Sequence, residues 1–408
     1  MNPFDMPATT YRIASSPSSR SARLVLRLLE RLRVGRLDLV APDGTARTFD
    51  SRFPGPHAMM RLADWGVFDD VLHRGDIGFG ESYMAGRWDT PDLAELLTLF
   101  AENTNALEKA IYGRWFGWVA DRVRHLLRSN RKRQAKRNIS AHYDLGNAFY
   151  ELWLDGTMTY SSGLFEGDEQ RILLDAQTAK YERICEVLGL KAGDRVLEIG
   201  CGWGGFAEHA ASTRGCRVHG ITLSREQLGY ARERMRAKDL EALVKLELRD
   251  YRDVRGEFDA IVSIEMFEAV GEQYWPAYFT AVRDRLRRGG RAVIQTITIA
   301  ESRFDRYRRG TDFIQQYIFP GGMLPSRDAF RDNASRRGLL IGEAYTFGRD
   351  YAKTLRQWRQ RFNRRVGELN ALGFDERFVR MWNFYLAYCE AGFRTGTIDV
   401  MQVELKRV

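Results

Sequence analysis

The feature that most constrains this chain is a short apolar run that leads into a glycine-rich turn. Residues Arg195–Ile199 are typical of a buried strand, four of the next six residues are glycine, and a helix is predicted to start after Trp203. Because such a turn carries no Cβ atoms, a ligand can lie against bare backbone at the helix N-terminus, where the first N–H groups attract negative charge. The stretch therefore predicts a cofactor site in a parallel α/β sheet.

The position of one acid decides which cofactor the turn favours. The spacing Gly200-x-Gly202-x-x-Gly205 satisfies the dinucleotide fingerprint, but no acid closes the second predicted strand, 217–223, to hold a nicotinamide ribose. The acid stands on the first strand instead, at Glu198, where it can face the ammonium group of an amino acid. The pattern therefore favours S-adenosylmethionine over NAD.

Two motifs at this spacing resemble those of the cyclopropane-fatty-acyl-phospholipid synthase family, a branch of the class I S-adenosylmethionine-dependent methyltransferases. They are Leu-Glu-Ile-Gly-Cys-Gly-Trp-Gly-Gly at 197–205 and Thr-Leu-Ser-x-x-Gln at 222–227. Further matches lie at 139–147, 158–165, 264–271, 316–320 and 388–393. The resemblance implies a Rossmann-like α/β fold with a mostly parallel sheet, a helical substrate lid and a small N-terminal α+β domain.

The residues after 194 alternate between strand and helix patterns, which predicts a parallel sheet with helices on both faces. Ligands of such sheets bind at the carboxyl ends of the strands. The sequence places polar or glycine residues at those ends, namely Gly200, Thr222, Asp250, Glu265 and Gln295. The predicted strands are 195–199, 218–223, 244–248, 258–264 and 291–298, with a closing strand at 398–406.

Composition restricts the partners and the compartment. The net charge of +9 favours acidic partners, and of these an anionic membrane surface is predicted, because no recognised nucleic-acid motif accompanies the basic residues. The four cysteines show no metal-ligand spacing, so no metal is predicted. Without a signal peptide or an apolar run of about 20 residues, we expect a cytoplasmic protein, peripheral on the inner membrane face.

The chain is predicted to hold four parts: a disordered N-terminus at 1–20, a lipid-docking domain at 21–110, a basic aromatic linker at 111–137, and the methyltransferase domain at 138–408 with a lid insertion at about 299–395. Residues 21–33 place leucines on one helical face and arginines on the other. That helix either lies on an anionic membrane or packs on its own domain. The linker suits a lipid headgroup interface, with a solvated linker as the alternative. A homodimer is left open.

The resemblance assigns the cofactor contacts. It implies a lid over S-adenosylmethionine from Tyr160 and Ser161, ribose contacts along 222–227, and adenine contacts after the third strand. Ser224 is also typical of a helix N-cap, which leaves its role open. The implied cofactor residues are Tyr160, Ser161, Glu198, Gly200, Cys201, Gly202, Trp203, Gly204, Thr222, Leu223, Ser224, Gln227, Asp250, Tyr251 and Ile264.

The chemistry expected of such a protein needs a base. An alkene that accepts a methyl group becomes a carbocation, and one proton must then be removed. The resemblance implies a bound bicarbonate as base, held by Glu268 and Tyr317, with Cys389 lining the reacting centre. Each of these residues also has a structural alternative: Cys389 as a buried small hydrophobe, Tyr317 as a core tyrosine and Glu268 as a helix cap.

The chain departs from the family pattern at three positions of this site. Ser162 stands where a cysteine is usual, Ala269 where a histidine is usual, and Gln295 where the bicarbonate-binding histidine is usual. A glutamine can hydrogen-bond an anion but cannot supply positive charge or shuttle a proton. The use of bicarbonate is therefore in doubt, and ring closure is the step that depends on it.

The sequence thus predicts transfer of a methyl group from S-adenosylmethionine to the cis double bond of an unsaturated phospholipid acyl chain, giving a cyclopropane. One alternative is a methyl-branched or methylene product without ring closure, since geometry decides which proton a base reaches. The residues are also compatible with a silent lipid-binding module and with a methyltransferase acting on a soluble carrier-bound chain or a small molecule.

Overall fold

The computed structural model of the protein describes residues 20–104, 107 and 145–408. The predicted tail up to residue 19, the basic aromatic linker and the first part of the 139–147 motif lie outside these described residues. The chain divides into two compact units. The first groups the N-terminal residues with Gly310–Ile318 and Val366–Thr395, and the second takes the other residues from 145 onward. Two segments of the predicted lid therefore belong to the first unit.

The first unit contains a four-stranded sheet with the order β2-β1-β3-β4. β1 (Val34–Val40) pairs antiparallel with β2 (Ala46–Asp50), and the segment Ala-Pro-Asp-Gly at 41–44 forms the turn between them. β3 (Phe53–Leu62) runs parallel to β1, and β4 (Trp88–Asp89) pairs antiparallel with β3. The helices of this unit are α1 (Arg20–Leu29), α2 (Val67–Met84), α3 (Leu93–Glu102), α10 (Phe313–Tyr317), α13 (Val366–Ala371) and α14 (Glu376–Arg394).

The amphipathic helix α1 packs its apolar face within its own unit. Val25, Leu28 and Leu29 are buried, whereas Arg23 and Arg27 are exposed. A face that already covers protein cannot also enter a lipid headgroup layer, so only the arginine side of α1 is available to a membrane. No helix in the described part of the chain is long and apolar enough to cross a bilayer.

The second unit is built on a seven-stranded sheet with the order β10-β11-β9-β8-β5-β6-β7. The pairs from β9 to β7 are parallel, and β10 and β11 add two antiparallel strands at one edge. The chain first extends the sheet from β5 to β7 and then returns to β8 on the other side of β5, so the order reverses beside β5. The strands are β5 (Arg195–Ile199), β6 (Arg217–Thr222), β7 (Val244–Leu248), β8 (Phe258–Ile264), β9 (Leu286–Ile299), β10 (Leu339–Thr346) and β11 (Ile398–Arg407).

Both faces of the inner strands of this sheet are buried, which explains why β5, β8 and β9 are rich in apolar residues. Successive side chains of a strand point to opposite faces. Val196 accordingly joins a core formed with α5 and α6, whereas Leu197 joins a second core formed with α8 and α11. The helices of the second unit are α4 (Asn147–Glu151), α5 (Leu173–Leu188), α6 (Gly205–Arg214), α7 (Arg225–Ala237), α8 (Trp275–Arg285), α9 (Glu301–Tyr307), α11 (Arg327–Ser335) and α12 (Gly348–Arg364).

The predicted lid differs in one respect from the structure. Residues 299–395 were expected to be mostly helical, and β10 is a strand within them. It pairs with the closing strand β11, from Leu339 opposite Arg407 to Thr346 opposite Met401. Its exposed edge gives it a mixed burial pattern, which the sequence alone does not separate from a surface segment.

Candidate active site

The glycine turn after β5 leads directly into helix α6. Gly200 and Gly204 adopt φ angles of 89° and 86°, which only glycine tolerates without strain. The next residue, Gly205, opens α6, and a Cβ atom there would lie 2.6 Å from the Tyr181 hydroxyl oxygen. The turn therefore needs glycine both for its backbone angles and for the space above it.

Glu198 points a buried carboxylate at this turn. The residue is 3% exposed, and its Oε2 atom has no hydrogen-bond partner among the described residues. Burial raises the pKa of Glu198 to about 8, against a smaller lowering by Arg234. A buried carboxylate without a partner is costly unless a ligand supplies a donor or a positive charge.

On the second strand, a short hydrogen-bond network orders the predicted ribose segment. The Thr222 hydroxyl donates to Gln227 Oε1 at 2.9 Å and accepts the Ser224 backbone N–H at 3.1 Å. The Ser224 hydroxyl accepts the backbone N–H of Gln227 at 3.2 Å and so caps helix α7. Ser224 is thus an N-cap in this structure, as its alternative role predicted.

The two residues predicted to contact the adenine, after β7, have different roles in the structure: Asp250 stabilises the local turn, and Tyr251 lines the cleft. Asp250 accepts the Arg252 backbone N–H at 3.0 Å and two bonds from the guanidinium of the same residue. Tyr251 faces the cleft and makes an edge contact with Tyr278, and burial raises the pKa of Tyr251 to about 12. Its ring remains a neutral apolar surface at neutral pH.

These segments enclose a cleft at the carboxyl ends of β5, β6 and β8, beside the reversal of strand order. Its empty volume is about 940 Å³, counting the part that opens to solvent, which is within the range of ligand sites. Of the predicted cofactor residues, Gly204, Ser224 and Asp250 are outside its lining. The predicted residues that line it are Tyr160, Ser161, Glu198, Gly200, Cys201, Gly202, Trp203, Thr222, Leu223, Gln227, Tyr251 and Ile264.

Some lining residues were not predicted from the sequence. Tyr181 on α5 shares a 2.6 Å hydrogen bond with Thr159, and both reach the cleft. Arg249 and Met266 also line it, each directly beside a strand end that the sequence did indicate. For Arg249 and Met266 the sequence offered one indication, their position beside a predicted strand end. That position does not show which of the residues near a strand end point into the cleft.

The cleft fits S-adenosylmethionine. The orphaned carboxylate of Glu198 suits its ammonium group, and the glycine turn at 200–205 leaves backbone accessible beside it. Thr222 and Gln227 offer hydroxyl and amide groups for a ribose, and Tyr251 an apolar face for the adenine. When bound, S-adenosylmethionine supplies an electrophilic methyl group on a sulfonium sulfur.

A second carboxylate, Glu268, lies in a 3-10 turn after β8. Its Oε1 accepts the Ile297 backbone N–H at 2.5 Å and the Thr296 hydroxyl at 3.0 Å, while Oε2 is buried without a partner in the described chain. Burial raises the pKa of Glu268 to about 8, and the negative charge of Glu265 adds to the effect. Glu268 is therefore positioned to hold a proton or a donor at Oε2.

Glu265 was predicted only as a strand end, and the structure makes it the centre of a network. Its Oε1 accepts the Ser162 backbone N–H at 3.0 Å and the Gln295 side-chain N–H at 2.8 Å. Its Oε2 accepts the Tyr351 hydroxyl at 2.6 Å. Burial raises the pKa of Glu265, and the Tyr351 hydroxyl and nearby Lys180 oppose that rise. Glu265 also lines the cofactor cleft.

Gln295 and Ser162 are hydrogen-bonded within this network. Gln295 is fully buried, donates to Glu265, and accepts a 3.0 Å hydrogen bond from Gln402. The Ser162 hydroxyl donates to the Gly163 carbonyl at 2.9 Å, so only its backbone N–H serves the site. Neither side chain lines the cleft.

A buried lysine lies close to Glu265 and to the predicted lid residue Ser161. Lys180 on α5 is fully buried and donates to Ser161 Oγ and Gln177 Oε1, both at 2.6 Å. Burial lowers the pKa of Lys180 to about 7, although Glu265 and Asp155 act to raise it. The group changes charge near neutral pH beside the lid residue Ser161.

Aromatic rings surround Tyr160 in the second unit. Its ring centroid lies 5.4 Å from that of Trp153, 5.4 Å from Trp358 and 6.4 Å from Phe319. Aromatic faces stabilise a desolvated positive charge by about 2 kcal/mol. The cleft entrance at Tyr160 thus suits a cationic transition state.

Tyr317 and Cys389, predicted as catalytic, belong to the first unit. The Tyr317 hydroxyl donates to Glu81, and burial raises the pKa of Tyr317. Burial also raises the pKa of the Cys389 thiol, with a further rise from Asp312. A thiol that stays protonated does not act as a nucleophile. The roles assigned to both residues remain predictions.

The sheet order and this cleft define a class I S-adenosylmethionine-dependent methyltransferase. A sequence model of the family described as "Mycolic acid cyclopropane synthetase" matches residues 130–403. The cyclopropane synthase CmaA1, solved in complex with SAH and CTAB, superposes with a TM-score of 0.62 at 32% identity, covering 67% of this chain and 98% of that one.

Two curated relatives extend the match into the first unit. Tuberculostearic acid methyltransferase UfaA1 of Mycobacterium tuberculosis is 42% identical over 96% of this chain and 92% of its own length. Cyclopropane-fatty-acyl-phospholipid synthase of Escherichia coli K12 is 36% identical over 86% of this chain and 88% of its own. The chain belongs to the mycolic acid cyclopropane synthetase family, and it is an S-adenosylmethionine-dependent methyltransferase.

Proposed function

We propose that the protein transfers a methyl group from S-adenosylmethionine to the cis double bond of an unsaturated phospholipid acyl chain and releases a methylated chain that keeps one double bond. The observation that carries this proposal is the state of Gln295. Its amide is fully buried and bonded at both ends, so it supplies neither the positive charge nor the proton relay expected of the ring-closing site. The full-length similarity to a relative named as a methyltransferase supports the same product.

Which product forms depends on the proton that leaves. After methylation the neighbouring chain carbon is positively charged. Loss of a proton from a chain carbon, or from the methyl group after a hydride shift along the chain, converts a C–H electron pair into a double bond. Loss from the methyl group with direct closure gives a cyclopropane instead. A saturated methyl branch would need an added reductant and is not proposed.

Cyclopropane formation is the second candidate. The 36% identity to the E. coli cyclopropane synthase favours it, and the buried Oε2 atom of Glu268, which has no partner in the described chain, supports it. In that case Glu268, Tyr317 and Gln295 would hold a bicarbonate base, and Cys389 would line the reacting centre. The two candidates share substrate and cofactor and differ only in the deprotonation.

We also propose that the protein works at the inner face of an anionic membrane. The net charge of +9 and the exposed arginines of α1 support electrostatic docking. Such docking weakens as salt screens the charges. Binding to vesicles of anionic phospholipid at low salt, lost at high salt and absent with neutral vesicles, is the expected result. Salt-independent binding to both would contradict it.

The product is tested by mass spectrometry. The purified protein is incubated with S-adenosylmethionine and vesicles of a cis-monounsaturated phospholipid, and the acyl chains are analysed before and after mild hydrogenation. We expect chains heavier by one CH₂ unit that take up one equivalent of hydrogen. Chains that gain the same mass but resist hydrogenation would establish the cyclopropane. Chains of unchanged mass, with cofactor bound, would refute both candidates.

A further inference from the structure

Two positions at which this chain departs from the family pattern converge on one carboxylate. Ser162 stands where the family has a cysteine, and Gln295 stands where it has the bicarbonate-binding histidine. In the structure the backbone N–H of Ser162 and the side chain of Gln295 donate to the same atom, Glu265 Oε1, at 3.0 and 2.8 Å. Ser162 and Gln295 are far from Glu265 in sequence, so the convergence is produced by the tertiary structure. Hydrogen-bond donors of the kind that would bind a free anion therefore surround the carboxylate of a side chain.

The carboxylate is held firmly and keeps one acceptor site. An ionised carboxylate offers about four lone-pair sites. Ser162 and Gln295 use two on Oε1, and the Tyr351 hydroxyl uses one on Oε2 at 2.6 Å. One site on Oε2 remains for a proton from a substrate. Gln295 is itself fixed by Gln402, so the group is oriented before any ligand arrives.

The backbone at Glu265 is held in an unusual conformation. Its φ angle is 50°, in the left-handed region that few residues other than glycine adopt. Such a conformation costs about 1–3 kcal/mol and persists where the surrounding structure fixes it. Here it turns the side chain at the end of β8 into the cleft, beside the lining residues Ser161 and Met266.

The surrounding charges oppose a second anion at the same place. Glu268 lies three residues further on, and the negative charge of Glu265 is one of the causes that raise its pKa. A bicarbonate bound between them would be a third negative charge in a buried site, which Lys180 offsets only in part and the neutral amide of Gln295 does not offset. Burial raises the pKa of Glu265 itself, so its carboxylate binds a proton more readily than an exposed one.

We propose that the Glu265 carboxylate is the general base of this enzyme and takes the place that the resemblance gives to a bound bicarbonate. The inference rests on the proposed function and names the residue that accepts its proton. The C–H bond of the methylated cation breaks, its electron pair becomes the double bond of the product, and the proton forms a bond to Glu265 Oε2. The positive charge of the chain and the negative charge of the carboxylate are both neutralised.

The first test measures anion binding and does not need turnover. Binding of ¹³C-labelled bicarbonate is followed by NMR line broadening in the wild-type protein and in Glu265→Gly. The matched control is Glu404→Gln, which removes a carboxylate on β11 that pairs with Arg291 in the wild type. We expect no bicarbonate binding to the wild type or the control. We expect binding to Glu265→Gly, because the N–H and O–H groups that donate to Glu265 in the wild type are then free to bind the anion. The proposal would be overturned if bicarbonate bound to the wild-type protein and if substitution of Glu265 left that binding unchanged.

The second test measures product formation in buffer depleted of bicarbonate. The wild type is expected to be unaffected by depletion. Glu265→Gln is expected to lose about 10²–10⁴-fold in rate, the usual contribution of a general base, with its affinity for S-adenosylhomocysteine retained. Formate or bicarbonate is expected to restore part of the rate to Glu265→Gly but none to Glu265→Gln, which keeps the space filled.

The outcomes separate this inference from the proposed function. A wild type that loses its activity on depletion and regains it with bicarbonate would refute Glu265 as base while confirming lipid methylation. A Glu265→Gln variant that keeps the wild-type rate would refute it equally. A wild type that methylates no lipid would refute the proposed function, and the anion-binding measurement would still decide whether the carboxylate occupies the anion's place.

Discussion

The buried state of Glu198 predicts that cofactor binding releases a proton. With a pKa of about 8, the carboxyl group of the free protein is mostly protonated at neutral pH. An ammonium group bound beside it favours the ionised form, because an opposite charge at close range lowers the pKa of an acid. S-adenosylhomocysteine, which keeps this ammonium group and transfers no methyl, is therefore expected to displace the proton as it binds.

The magnitude follows from that pKa. At pH 7 the protonated fraction for a pKa of about 8 is about 0.9, so binding should release about 0.9 proton per cofactor. The ionised fraction rises about ninefold between pH 6 and 7, and the affinity of the wild type should rise by the same factor. In Glu198→Gln no proton is available, so both the release and the pH dependence should disappear. The ratio of wild-type to variant affinity therefore grows about ninefold over this interval.

Titration calorimetry in two buffers of different ionisation enthalpy measures the released protons directly. Glu404→Gln, which removes a carboxylate that does not line the cleft, is the matched control and should behave as the wild type. Equal proton release in the wild type and Glu198→Gln would refute the reasoning, since the proton would then come from another group. An affinity for the wild type that does not change between pH 6 and 7 would refute it as well.

Three further substitutions test individual parts of the structure. Ser224→Ala should lower the free energy of unfolding by about 1 kcal/mol, as measured by urea denaturation, because it removes an N-cap, and should leave cofactor affinity unchanged. Arg87→Ala should lower the free energy of unfolding by about 3–5 kcal/mol, since it removes the buried ion pair between Arg87 and Asp64, and an unchanged urea midpoint would contradict this. Gly205→Val should abolish S-adenosylhomocysteine binding in calorimetry, because its Cβ would press on the Tyr181 hydroxyl and reshape the turn.

Much of the sheet was predictable because it is buried on both faces. Strands β5, β7 and β8 begin and end at the residues that the apolar runs indicated. β9 was predicted from residue 291 and begins at Leu286, because the glycines at 289 and 290 look like a turn in the sequence although they lie within the strand, where its pairing with β8 is irregular. β10 was missed for a different reason: it contacts the core with one end only, so its pattern is not periodic.

The cofactor half of the site was also predictable, because its residues are local to strand ends. Glu198 and the glycines of the turn are contiguous in sequence, and their spacing carries the information. The base half is different. Glu265 meets Ser162 and Tyr351 through contacts that span 103 and 86 residues. No local pattern encodes such contacts, and the resemblance directed attention to Tyr317 and Gln295 instead.

This difference explains how one fold can yield more than one product from the same cofactor. The glycine turn admits little variation, since Gly200 and Gly204 need positive φ angles and a side chain at Gly205 would strike Tyr181. The donors around Glu265 are N–H and O–H groups, which hold a bound oxyanion and a side-chain carboxylate equally well. Exchanging one for the other needs no movement of the backbone that binds the cofactor. The proposed exchange replaces a freely bound oxyanion with a carboxylate fixed at the end of β8, and the position and orientation of the base decide which proton leaves.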